Sequence, residues 1–396
     1  MERMFSRADL RKLLVPLMVE QALAMTIGMA DTVMVASCSE AAVSGVSLID
    51  SVNAVFLWLF PALATGGGVV LAQYIGRGEE ENARRSVGQL TLLLVGFSLM
   101  ISVLFMLFRD ELLVLLFGQI EPQVMAYART YFTVSIISYP FLALYNVGAS
   151  VFRAVGNSKL SMTVSTAANA LNLIGNAILI YGFGLEVLGA GLATLASRIL
   201  GAVIMLYKLL RPDCRVGMHS FGDLRFQKEM FGRILRIGIP SGLESAAFNI
   251  GKLLVASLVS TLVTAAITAN AVMNTLQSII LIPTSAIHLA AVPIVGQCLG
   301  AGKAEDAKYY TKWLVGLAYI CLFITAGGTL LFADPILSLF KLTPETTAVA
   351  LRLLRSRVMW PQTSFCSGSC FLAAPARRRS ARMRALSSRI LKGLVR

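Results

Sequence analysis

"AQYIGRGEEENAR" at residues 72–84 returns as "GQCLGAGKAEDAK" at 296–308, 224 positions later. Both copies carry Gln-x-x-Gly-x-Gly ahead of an acidic run, at Gln73, Gly76 and Gly78 and at Gln297, Gly300 and Gly302. The offset holds further out. "VPLMVEQA" (15–22) pairs with "IPSGLESA" (239–246), so Pro16 matches Pro240 and Glu20 matches Glu244. Ala41 and Ala42 match Ala265 and Ala266, and Asp110 matches Asp334. A register kept without a gap from residue 15 to residue 110 marks an internal duplication.

The duplication lies in a chain of 396 residues that is 56% hydrophobic and 14% charged, with a mean hydropathy of +0.73. Soluble domains carry nearer a quarter charged residues, so the medium is a membrane. Ten stretches are long enough to cross roughly 30 Å of hydrocarbon: 13–36, 46–72, 87–108, 124–152, 161–183, 187–208, 231–260, 265–296, 310–332 and 346–372. The expected fold is an all-α polytopic membrane protein. Six spans separate the repeats, an even number, so the halves should run parallel and be related by a pseudo-two-fold along the membrane normal. That divides the chain into an N-terminal six-helix bundle over 1–212, a linker at 213–230, an incomplete C-terminal bundle of about four helices over 231–372, and a basic tail at 373–396.

Charge orients the spans. Eighteen basic residues lie in the N-terminal segment and the even-numbered loops, against Arg109 and Lys341 in the others. The positive-inside rule then puts the N-terminus of this multi-pass chain in the cytoplasm. A charged N-terminus runs directly into the first span, which is not the pattern of a cleavable signal peptide. Cys38, Cys214, Cys298, Cys321, Cys366 and Cys370 show neither metal-type spacing nor a disulfide framework.

The second half changes character near its end. Tyr139 and Pro140 are followed by the rest of the fourth span and two further helices, whereas Trp360 and Pro361 hold the matching place with 35 residues left. From Phe365 the text has seven arginines and no acid, and 11 basic residues follow Glu345. The net charge of +14 therefore belongs mostly to this tail, and it does not speak for nucleic-acid binding. Met383, Leu386, Ile390 and Leu394 fall at helical spacing, which suits a surface helix on anionic lipid. The other reading is a shifted reading frame or another truncation, and the abrupt loss of apolar periodicity favours it.

The chain resembles the multidrug and toxic compound extrusion (MATE) family of cation-coupled antiporters, closest in look to its bacterial, DinF-like branch. The likeness runs from about residue 8 to 361. It is carried by "PLMVEQALAMTIGMADTVMV" (16–35), "VLAQYIGRGEEENARR" (70–85), "ANALNLIGNAILIYGFGLEVLGAGLAT" (168–194), "GIPSGLESAAFNIGKLL" (238–254) and "VGQCLGAGKAEDA" (295–307). The resemblance implies twelve helices in two six-helix bundles, exporting organic cations or other amphipathic compounds against Na⁺ or H⁺. This chain departs by ending about two helices early.

Asp31 lies about 27 Å of helical rise beyond Leu13, in the far half of the first span. Family members keep an aspartate there, facing a cavity in the N-terminal bundle. A carboxylate in a poorly hydrated cavity resists ionisation unless a cation or proton neutralises it, which lets ion and substrate exclude one another; the bland reading is an interfacial aspartate held by backbone amides. Asn172 and Asn176, four apart on one helical face, offer amide oxygens to Na⁺ or to Asp31. Thr194 matches a further family position. Where many prokaryotic members carry an aspartate, this chain has Asn176, followed by Ala177 instead of proline, which leaves one formal charge at the site and the ion open. Na⁺ at Asp31, Asn172 and Asn176 is one expectation and H⁺ the other; no other cofactor is expected.

Glu20 and Glu244 either line a cavity, shuttling protons or drawing cationic substrate, or pair with polar neighbours. Lys252, two turns beyond Glu244, is a partner for it. Pro16 and Pro240 are the expected hinges of the first and seventh spans. Asp31's repeat mate is Val255, so any ion site belongs to the N-terminal half. The glycine motifs follow no strand and lack a P-loop lysine, and no nucleophile–base constellation stands out, so neither ATP use nor enzyme activity is expected. The expected partners are small organic substrates and membrane lipid, with no nucleic acid, and the expected state is a monomer. Two alternatives stand beside export of amphipathic cations: a lipid-linked saccharide flippase of the same superfamily, and an inactive truncated remnant.

Overall fold

The computed structural model describes residues 3–118, 120–212, 214–218, 224–260 and 264–338, with 347, 350, 351 and 354 beyond them. Within the helices, the side chains of 29–33, 36, 40, 246, 248–250, 252–271, 336 and 338 lie outside the described set. Most of the expected tenth span and the whole tail therefore fall outside it.

The described chain is helical and without strands. In order come α1 (Arg7–Ala36), α2 (Glu40–Arg77), α3 (Glu80–Leu107), the short α4 (Arg109–Phe117), α5 (Pro122–Ala154), α6 (Ser158–Asn176), α7 (Glu186–Leu210), α8 (Lys228–Ser260), α9 (Thr264–Gly300), α10 (Ala304–Leu331) and the short α11 (Ala333–Ser338). Among the described residues, seven helical stretches are long and apolar enough to cross a membrane. α6 continues through one π-helical stretch, Ala177–Gly182.

The 224-residue offset is written into the helix ends. α3 and α10 are both 28 residues long and begin and end 224 positions apart, and α4 and α11 begin at the same offset. α2 and α9 end on the same turn. Gly78 and Gly302 adopt φ of 75° and 74°, and the next residue, Glu79 or Lys303, donates its N–H to the carbonyl of Tyr74 or Cys298 at 3.0 Å. Only a residue without Cβ takes that left-handed turn cheaply, so the last glycine of each motif is a helix stop.

α1 packs along α6, α2 against α3 and α5, and α5 against α7. α9 packs on α10 in the second half, and α2, α8 and α9 join the halves. The join involves the ends nearest the basic turns, here called the basic face. Gly66 of α2 meets Gly238 of α8, where an added Cβ would lie 2.6 Å from the Gly238 nitrogen. A Cβ on Gly76 would overlap the Gln297 carbonyl oxygen, and one on Gly300 would overlap that of Gln73. This reciprocal contact seats α2 and α9 on the pseudo-two-fold.

One arrangement goes beyond the bundle-by-bundle expectation. Leu10, Leu13, Leu14 and Leu17, at the start of α1, are buried with Ala290, Ile294, Cys298 and Tyr310 of the second half. Farther along, Glu20 meets Ser161 of α6, along which α1 also packs. α1 thus belongs to both halves, and Pro16 lies near the crossover.

Candidate functional site

The polar interior of the first half is built on α6 and α7. Helical spacing sets Asn172 and Asn176 one turn apart, and both are buried. Asn172 Nδ2 donates to Thr194 Oγ1 of α7 at 3.2 Å, so the two helices meet through the residues marked in the sequence. The π-helical stretch begins directly after Asn176, and such local widenings recur at functional sites. α1, which carries Asp31, packs along α6 and touches this stretch. The side chains of Asp31 and Lys252 lie outside the described residues.

A second polar cluster stands deeper, one turn along α7. Arg198 Nη1 donates to Ser138 Oγ of α5 at 2.5 Å. Beside it, Asn53 of α2 accepts from the Tyr139 hydroxyl at 2.8 Å and donates to Ser135 Oγ at 3.2 Å and Asp50 Oδ1 at 3.3 Å. None of these residues is singled out by the sequence; the available signal is polar side chains within apolar spans, and Asn53 is 4% exposed.

Glu20 heads a third cluster. Ser161 Oγ lies 3.0 and 3.1 Å from its two oxygens, the Tyr145 hydroxyl 3.5 Å from Oε1, and Arg153 Nη1 3.8 Å from Oε1. The two charged side chains are only 7% and 13% exposed. A buried carboxylate needs such partners, and here they come from α5 and α6, tying α1 to both. Glu244, equivalent by repeat, is exposed. The positions equivalent to Arg153 and Ser161 are 377 and 385, outside the described residues. Pro16 lies inside α1 and Pro240 inside α8.

The described donors here, Asn172, Asn176 and Thr194, are oxygen-based: amides and a hydroxyl. Those are ligands for a hard cation or a proton, not for a soft metal. No cluster of three His, Cys, Asp or Glu residues that could hold a metal ion occurs among the described residues.

The MatE family model matches the chain twice, over residues 16–178 and 240–376, and the two matches start 224 positions apart, on Pro16 and Pro240. The chain belongs to the MatE family. Among curated relatives of this MatE protein, "Probable multidrug resistance protein NorM" of Thermotoga maritima is 27% identical over 354 residues, 87% of this chain and 74% of the relative. "FAD transporter" of Shewanella oneidensis is 25% identical over 323 residues, 80% of this chain and 70% of that one. Among solved structures, the outward-facing conformation of a multidrug resistance MATE family transporter of the MOP superfamily matches with a TM-score of 0.84 at 20% identity, covering 91% of this chain and 81% of that chain. A MOP superfamily transporter from Pyrococcus furiosus, described as having a binding pocket of reverse polarity, matches at 0.85 with 20% identity, covering 92% and 82%. The all-α, two-repeat fold expected from sequence is the fold found.

Proposed function

We propose that this MatE protein is a cation-coupled antiporter that exports amphipathic organic compounds by alternating access, in a bacterial cytoplasmic membrane with the basic face inward. The observation that carries this reading is the buried amide–hydroxyl pair Asn172–Thr194, with Asn176 one turn away, on helices packed against the one that carries Asp31. Asp31 is the ion-responsive carboxylate. Neutralised by Na⁺ or H⁺ it has no charge with which to hold a cationic substrate; ionised, it draws one. Asn172, Asn176 and Thr194 supply neutral oxygens to the same ion. With one formal charge instead of two, a Na⁺ site here is weaker than one with two carboxylates, and H⁺ is the favoured partner. Pro16 and Pro240 are the hinges on this reading. Glu20 is a structural acid, held by Arg153, and not a transport carboxylate.

The test is dye efflux from inverted vesicles or proteoliposomes under imposed Na⁺ or H⁺ gradients. Asp31→Asn should abolish gradient-driven efflux while the protein remains folded, and unchanged coupled efflux would refute the assignment. Asn176→Asp should strengthen any Na⁺ dependence. The substrate panel should set cationic dyes beside FAD and a polyprenyl-phosphate lipid, because one relative is named a FAD transporter and a flippase belongs to the same superfamily.

A further inference from the structure

Two short segments on the basic face cross between the halves. Ahead of α1, the Phe5 N–H donates to the Tyr310 hydroxyl at 3.0 Å, and that hydroxyl donates to the Phe5 carbonyl at 2.8 Å. The Phe5 and Tyr310 rings meet edge to face with centroids 5.8 Å apart, and the Arg3 guanidinium sits 3.2 Å from the centre of the Tyr309 ring. Tyr309 and Tyr310 belong to α10, in the second half. Ahead of α8, Gln89 of α3, in the first half, donates from Nε2 to the Arg225 carbonyl at 2.8 Å and accepts the Gln227 N–H at 2.9 Å. Gln89 is fully buried.

These contacts are repeat mates in place, though not in chemistry. α1 and α8 are equivalent, α3 and α10 are equivalent, and Gln227 lies 224 residues after Arg3. Each half therefore has the segment that enters its first helix pinned to the third helix of the other half. The side chains differ: Trp313 stands where Gln89 would recur, and Ser86 where Tyr310 would. Different residues have arrived at one geometry, which local helix capping does not require. Between the two attachments lie the glycine contacts of α2 and α9 and the buried cluster of Leu10, Leu13, Leu14 and Leu17 with Cys298.

We propose that these two segments are reciprocal straps that hold the basic face shut, and that opening of this face requires both to detach. The inference rests on the alternating-access reading. Each strap fastens the moving end of a proline-containing helix to the opposite half, so separation of the halves there breaks the Tyr310–Phe5 pair, the Gln89 clasp and the Arg3–Tyr309 stack together. The sets are small, one side chain binding two backbone groups in each case, so they bias the equilibrium without freezing it.

Cys298 reports on this without any transport. It is buried between the halves, so its alkylation by N-ethylmaleimide should follow opening of the basic face. Cys38, in the α1–α2 turn at the other end of α1, is the control. In the full chain in lipid nanodiscs, read by peptide mass spectrometry, Tyr310→Phe and Gln89→Leu should each speed Cys298 alkylation by about two- to ten-fold, the range over which one net hydrogen bond moves an equilibrium. The double variant should exceed either, with Cys38 unchanged. Equal rates in folded variants and wild type, or a matching rise at Cys38, would overturn the proposal. Should either buried-site variant fail to fold, Arg3→Ala, at an exposed position, carries the same prediction at about two-fold, and no change there overturns it. A protein that passes this test yet shows no Asp31-dependent efflux has straps but is not the antiporter proposed; the reverse result leaves the antiporter and removes the straps.

Discussion

Gly76 and Gly300 show what one methyl group decides. Each lies so close to the opposite glutamine backbone that any Cβ overlaps a carbonyl oxygen, and no rotamer relieves a clash made by Cβ itself. Gly300→Ala should push α9 off α2 and destabilise the folded chain by roughly 1–3 kcal/mol, the usual range for overpacking. Thermal unfolding in detergent checks this, with Gly316→Ala, where the space is open, as control; equal melting of the two variants would contradict the contact. The need for Gly78 and Gly302 as helix stops was readable in the sequence, because a glycine after an apolar run is a local signal. The need for Gly76 and Gly300 was not, because their neighbours lie 224 residues away and become neighbours only when the halves dock.

Among the elements, α1 carries the most. Its start is fixed by a capping box, in which Ser6 Oγ accepts the Asp9 N–H at 3.2 Å and Asp9 Oδ2 accepts from the Ser6 N–H at 3.0 Å. The hydrogen bonds from Ser6 hold the Asp9 carboxyl below its ordinary value. A lowered folded-state value means the cap's contribution is present above the ordinary aspartate range and is lost as the pH falls through the lowered value. Amide exchange at Leu10 and Arg11 should therefore rise at pH 3 relative to pH 5, beyond the intrinsic pH effect, and Asp9→Ala should erase the difference. Farther along, Arg153→Met leaves Glu20 buried with a charge and no counter-charge, a loss of roughly 3–5 kcal/mol where a buried pair is broken on one side. Glu20→Gln on top of Arg153→Met should recover most of it; a double variant as unstable as the single one would deny the pairing. The sequence marked Glu20 as an acid in a span and stopped there, since Tyr145, Arg153 and Ser161 reach it from helices that only the fold brings alongside.

For the whole molecule, the side on which the basic turns lie is open to direct labelling. A cysteine replacing Arg77, beside the α2–α3 turn, should react with a membrane-impermeant maleimide only in inverted vesicles, and labelling from outside intact cells would reverse the proposed topology. The internal repeat, the helical class, the parallel halves and the family resemblance were all written in the chain, because periodicity, span length and a constant offset are properties of residue order. The shared helical face of Asn172 and Asn176 follows from their spacing, and the structure adds the 3.2 Å bond from Asn172 across to Thr194 of α7. Three things were decided by tertiary structure alone. α1 crosses from one half to the other, Glu20 and its equivalent Glu244 have opposite surroundings, and the entering segments are pinned to the third helix of the opposite half. A repeat dictates that equivalent residues take equivalent backbone places. What surrounds each place depends on the residues packed against it, and those differ between the two copies.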